Sequence, residues 1–148
     1  MAWVAITEAH LKTRLSGPEL NGFRSAALAT GQADPIASQI AQTVDLVRGY
    51  IAGYQANRLG EAGTVPEKLV GVTVDLLVVE VEKRCAGKLI DPNGHREKSA
   101  QTAMSILRDV AAGRFAIDVP ETESEEMVQN FIPTITARAS RFRDQDGI

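Results

Sequence analysis

The chain has 148 residues, 44% of them hydrophobic and 24% charged, and its 16 basic and 19 acidic side chains leave a formal charge of −3. These proportions fit one ordinary globular domain with an appendage and exclude collagen, repeat arrays and disorder throughout, while 5% aromatics are too few for a typical β-sandwich. Residues 1–120 hold 13 basic and 13 acidic side chains, so the excess acid lies in residues 121–148, where six acids meet three arginines.

The elements read in chain order are mostly helices with marked starts. Thr7 is placed to cap a short helix through Arg14. Ser16-Gly-Pro-Glu19 has the spacing of a capping box, in which hydroxyl and carboxylate each satisfy a free backbone amide, and predicts a second helix from Pro18 to Leu28. Asp34-Pro35 predicts a third start, since the Asp side chain can accept from the first turn and proline's missing N–H needs no partner there. Ile36, Ile40, Val44, Val47 and Ile51 then recur at helical spacing, with Tyr50 and Tyr54 extending the stripe toward an end near Gly60.

Thr64-Val-Pro-Glu67 repeats the capping-box spacing and predicts a helix running to Arg84. Its valines favour a strand, but strands rarely exceed about ten residues, so length decides for a central helix apolar on nearly every side. The apolar stretch Leu69 to Val81 is broken by Thr73, Asp75 and Glu80 and is too short to span a membrane. Asp91-Pro-Asn-Gly94 reads as a turn. A further helix carries Ala100, Ala103, Met104, Leu107, Val110 and Ala111 on one face and stops before Gly113. Phe115, Ile117 and Val119 alternate with Ala116 and Asp118, the pattern of a short extended segment.

This predicts an all-α fold: a bundle of four to five helices over residues 1–120, followed by an extended C-terminal arm over residues 121–148. In the arm Glu121, Glu123, Glu125 and Glu126 come first, then the spaced apolar residues Met127, Val128, Phe131, Ile132, Ile135 and Phe142 with Arg138, Arg141 and Arg143. No single helical stripe accommodates these positions, and the composition is that of a segment that docks on another chain.

Catalytic and metal chemistry find little support. His10 and His95 fall in different segments and neither stands one helical turn from another ligand, so both read as helix-end histidines. The lone Cys85 allows no intrachain disulfide; beside Lys83 and Arg84 its thiol could be activated, but no partner base is evident and a structural cysteine is favoured. Asp91-Pro-Asn-Gly-His resembles half a calcium loop, yet Arg96 and Thr102 occupy positions that need Gly and Glu. Gly60-Glu-Ala-Gly63 lacks the lysine and spacing of a phosphate loop. Asp75 could serve as a catalytic carboxylate, but a buried hydrogen-bonding acid or oligomer contact is favoured, with Arg48 as a candidate ion-pair partner. The N-terminus carries no signal-peptide pattern. A neutral body has no basic stripe for gripping DNA. No enzyme, cofactor or metal is expected.

The order of these motifs resembles the head-tail adaptor proteins of tailed bacteriophages, also called head-completion or head-tail connector proteins, in the Mu-like prophage branch. The matching stretches are Ile6-Thr-Glu-Ala-His-Leu-Lys-Thr-Arg-Leu15, Gly17-Pro-Glu-Leu20, Val47-Arg-Gly-Tyr50-Ile-Ala-Gly-Tyr54, Val65-Pro-Glu-Lys-Leu69 with Asp75 following, Leu107-Arg-Asp-Val-Ala-Ala-Gly-Arg114 and the terminal Arg141-Phe-Arg-Asp-Gln-Asp-Gly-Ile148. The loop Gln55 to Gly63 departs from the family's usual Arg-Tyr-x-x-Pro-Leu. The resemblance implies a structural virion protein at the neck, assembled in the host cytoplasm. It would form a ring, usually dodecameric, under the portal protein, extend the DNA channel and offer its lower side to a stopper or tail-completion protein. Packaged double-stranded DNA would pass without specific binding, and no membrane is involved. The residues expected to bind the portal or a neighbouring subunit are Phe131, Ile132, Ile135, Arg138, Arg141, Phe142 and Arg143. The alternative class is a small helical interaction or regulatory protein whose tail binds a phage or host partner.

Overall fold

The structure is a computed structural model that describes residues 2–27, 34–84 and 94–122. Its elements in order are β1 (Trp3–Ala5), α1 (Glu8–Leu11), α2 (Gly17–Ala27), α3 (Pro35–Ala52), β2 (Thr64–Pro66), a 3-10 turn (Glu67–Leu69), α4 (Val70–Arg84) and α5 (His95–Ala111). The fold is all-α, a five-helix bundle among the described residues with one two-stranded ribbon at its edge.

Helix α4 is the centre: it packs on α1, α2, α3 and α5. Its buried side chains Thr73, Val74, Leu76, Leu77, Val78 and Val81 cover most of its circumference, which is what an apolar run of this length requires once four neighbours surround it. Thr73 is tolerated there because its hydroxyl donates to the Leu69 carbonyl one turn back, 2.8 Å away. The stripe on α3 faces this core through Ile36, Val44, Val47 and Ile51, and α5 contributes Ala100, Ala103, Leu107 and Val110. Leu11, Leu15, Leu20 and Phe23 close the N-terminal side.

Two of the expected caps form as read. The Ser16 backbone N–H and hydroxyl both donate to Glu19 Oε2, at 2.8 and 2.9 Å, and the Ile36 amide donates to Asp34 Oδ1 at 3.0 Å. At α1 the role of the third-position carboxylate falls to His10, whose Nδ1 accepts from the Thr7 amide at 3.1 Å. Helix α1 ends at Leu11, and residues 12–14 continue only as a turn.

The second predicted box is a correction. Thr64 opens no helix: Thr64, Val65 and Pro66 pair antiparallel with Ala5, Val4 and Trp3, and the Thr64 hydroxyl turns back to the Glu61 carbonyl at 2.6 Å. The central helix begins only at Val70, after the 3-10 turn. A strand at Trp3–Ala5 was not expected, and without its partner the strand character of Thr64–Pro66 is hidden. A second correction concerns α3, which ends at Ala52 with Gly53 as C-cap, several residues before Gly60. Tyr54 lies beyond the helix, its ring against Gly113, where a Cβ would come within 2.5 Å of Tyr54 Cε2. Residues 115–119 form no strand among the described residues; Phe115 and Ile117 lean on the core while Val119 is 70% exposed.

Candidate functional site

Asp75 interrupts the apolar surface of α4 between buried Val74 and Leu76. Its partner is Arg14, whose Nε lies 3.0 Å from Asp75 Oδ1. Arg48, the partner expected from sequence, points elsewhere. Arg48 is buried, with Nη1 donating to the carbonyls of Glu61 and Thr64, each at 2.9 Å, and Nη2 to that of Gly60 at 3.2 Å. Its guanidinium carbon also stands 5.9 Å from the centroid of the Trp3 ring. Arg48 thereby holds the loop between α3 and β2, and the N-terminal strand with it.

Arg14 and Asp75 form one wall of a small polar cleft of about 230 Å³ that also includes Val78, His95, Arg96 and Ser99. Arg96 crosses its rim to pair with Glu82 on α4 and with Glu19 on α2, the latter at 2.8 Å. The Ser16 backbone amide, then Arg96 and the Ser16 hydroxyl, hold the Glu19 carboxyl down at about 2, against an ordinary 4.5. The Arg96 guanidinium is pushed down by burial, but its bonds to Glu82 and Glu19 outweigh that and raise it. Every charge named here is met by an opposite one, so the cleft ties α1, α2, α4 and α5 together. Among the described residues no group of three His, Cys, Asp or Glu side chains is placed to hold a metal ion, and none of their helices is long and apolar enough to cross a membrane.

The larger concavity is apolar. Helices α3, α4 and α5 diverge to leave a groove of about 760 Å³, with Leu46, Leu76, Val79, Ala100 and Met104 among its lining and charged side chains at its rim. Leu46 is 47% exposed there, one of three large apolar side chains among the described residues to be so open. Sequence reading missed this groove, because Leu46 falls between the stripe positions of α3 and only the splay of three helices turns it into a wall.

The seven residues expected to bind a partner, Phe131, Ile132, Ile135, Arg138, Arg141, Phe142 and Arg143, lie outside the described residues, as does Cys85. The base of the arm is described. Trp3 Nε1 donates to the Asp118 carbonyl at 3.2 Å, Lys68 Nζ lies 3.0 Å from Asp118 Oδ1, and Pro120 is buried. Trp3 in β1 and Lys68 just before α4 thus hold the segment at Asp118 between them.

Comparison with known proteins places this architecture. The family described as Bacteriophage Mu, Gp36 matches residues 6–131, from Ile6 just after β1 through all five helices to Phe131. The chain belongs to the bacteriophage Mu Gp36 family. It is a Mu-like phage protein. No curated protein and no solved structure matches it. The Gp36 match takes in both the Arg14–Asp75 cleft and the apolar groove, and it ends at Phe131.

Proposed function

We propose that this Gp36-family chain is a head-tail adaptor: a structural virion protein of the neck that assembles as a dodecameric ring under the portal, extends the DNA channel and joins the head to a stopper or tail-completion protein. The observation that carries the reading is the family match over residues 6–131, which spans nearly all the motifs shared with phage adaptors. Three features support it. The bundle is braced by ion pairs that close on one another, as suits a rigid ring subunit. Its body is charge-neutral through residue 120, so a channel wall built from it would not hold sliding DNA by counterion release. The arm starts from a fixed point at Asp118 and carries apolar anchors with arginines, the residue types that dominate binding energy at protein interfaces.

In this role Phe131, Ile132, Ile135 and Phe142 seat in the portal while Arg138, Arg141 and Arg143 meet its acidic groups; no turnover, cofactor or metal is involved. Native mass spectrometry of the chain with the portal protein of the same phage tests it. The expected result is a large complex of near one-to-one stoichiometry that is lost on deleting residues 121–148. Binding that survives deletion moves the contact to the bundle, and the absence of any complex favours an interaction or regulatory protein instead.

A further inference from the structure

The groove between α3, α4 and α5 has three properties that together describe what should lie in it. Its floor is apolar, with Leu46, Leu76, Val79 and Met104. Thr43 on the same floor is 2% exposed, and its Oγ1 has no hydrogen-bond partner among the described residues. A buried hydroxyl without a partner loses its hydration for nothing in return, so an occupant that brings a backbone N–H or C=O is favoured over a purely apolar one. At the rim Glu80 is paired with Lys83 at 2.8 Å and Glu82 with Arg96, which leaves Glu97 as the rim carboxylate with no ion pair among the described residues.

We propose that in the uncomplexed protein this groove is the docking site of the chain's own residues 127–143. That segment has Met127, Val128, Phe131, Ile132, Ile135 and Phe142 for the floor, a peptide backbone for Thr43, and Arg138, Arg141 and Arg143, any one of which can meet Glu97, with no acidic residue to oppose it. The reach is sufficient. The arm leaves the bundle at Asp118, which is tied to Lys68 beside the start of α4. From Lys68 to Val79 is about 16 Å along a helix, whereas the nine residues from Asp118 to Met127 span up to about 30 Å when extended. Docking covers Leu46 and the arm's apolar residues at once, and neither surface is comfortable in water. When a partner takes the arm, the groove is uncovered.

The inference stands apart from the adaptor reading, because its test uses the isolated full-length chain and the portal experiment does not enter it. A photo-crosslinking residue, p-benzoylphenylalanine, replaces Leu46 and, in a second variant, Gln101; both positions are exposed and line the groove. Irradiation followed by peptide mapping should join both probes to residues 127–143 within one chain. The yield should fall by about tenfold or more when Phe131, Ile132 and Ile135 become Ser, since a loss of 1.4 kcal/mol is already tenfold and each buried side chain exceeds it. Links to residues 85–93, links to the arm or body of a second copy, or no link to residues 127–143 would each overturn the proposal.

Discussion

Arg96 on α5 and Glu19 on α2, 77 residues apart in sequence, meet at 2.8 Å, and the same Glu19 carboxylate closes the capping box of α2 on Ser16. One side chain therefore serves a local cap and a tertiary tie together. Its folded pKa, about 2, lies below the ordinary 4.5, so the native state binds fewer protons than the unfolded chain between those values. The stability that follows is fully present above pH 4.5 and is lost as the pH falls toward 2. Because Glu19 is 38% exposed, solvent screening holds the contribution to about 1 kcal/mol. Urea unfolding of Glu19→Gln against the parent should show that difference at pH 6 and almost none near pH 2. A gap that stays constant over this range would mean that the charge is not what matters.

Arg48 is the most costly polar side chain to remove. Its truncation takes the guanidinium from the carbonyls of Gly60 and Thr64, while that of Glu61 keeps the Thr64 hydroxyl as donor. At about 1 to 3 kcal/mol for each buried group left without a partner, Arg48→Met should cost on the order of 2 kcal/mol or more. Thermal unfolding reads this directly. A loss below about 1 kcal/mol would show that the loop carbonyls rehydrate.

Two helix starts and two apolar stripes are legible from local sequence alone. The box at Ser16–Glu19 and the Asp34 cap on the Ile36 amide involve residues two or three apart, and the stripes of α3 and α5 state their own period. Thr64-Val-Pro-Glu67 has the same letters as a cap but is used as a strand, because its partner Trp3–Ala5 lies some 60 residues upstream and no local pattern announces the pairing. Arg48 was misassigned to Asp75 for the same reason. Which of two arginines reaches a carboxylate depends on the turn after α1, which brings Arg14 alongside α4. The groove is less legible still, since it belongs to the angles between helices and to no single one of them.

Trp3 is the only tryptophan in the chain, and it packs so closely on Gly60 that an added Cβ would stand 2.6 Å from ring atom Cδ2. Gly60→Ala must therefore push the indole aside, weakening its bond to the Asp118 carbonyl and its stacking with Arg48. The expected outcome is a red-shifted tryptophan emission together with a loss of about 1 to 3 kcal/mol, the usual range for overpacking. An unshifted spectrum would mean that the loop, and not the ring, gives way.

The expected division between residues 1–120 and 121–148 makes its own prediction. The described hydrophobic core runs from Ile6 to Val110, with Pro120 also buried, so the bundle has a hydrophobic interior formed by residues before position 121. Deleting residues 121–148 should leave the far-ultraviolet helical signal of the bundle intact in circular dichroism. If the arm covers the groove, the same deletion also uncovers Leu46, Val79 and Met104, and the unfolding midpoint should fall by a few degrees, as about 1 kcal/mol does in a domain of this size. Intact helicity with a lowered midpoint fits an arm that packs on a self-sufficient bundle. Loss of the helical signal would show that residues 121–148 belong to the folding unit itself.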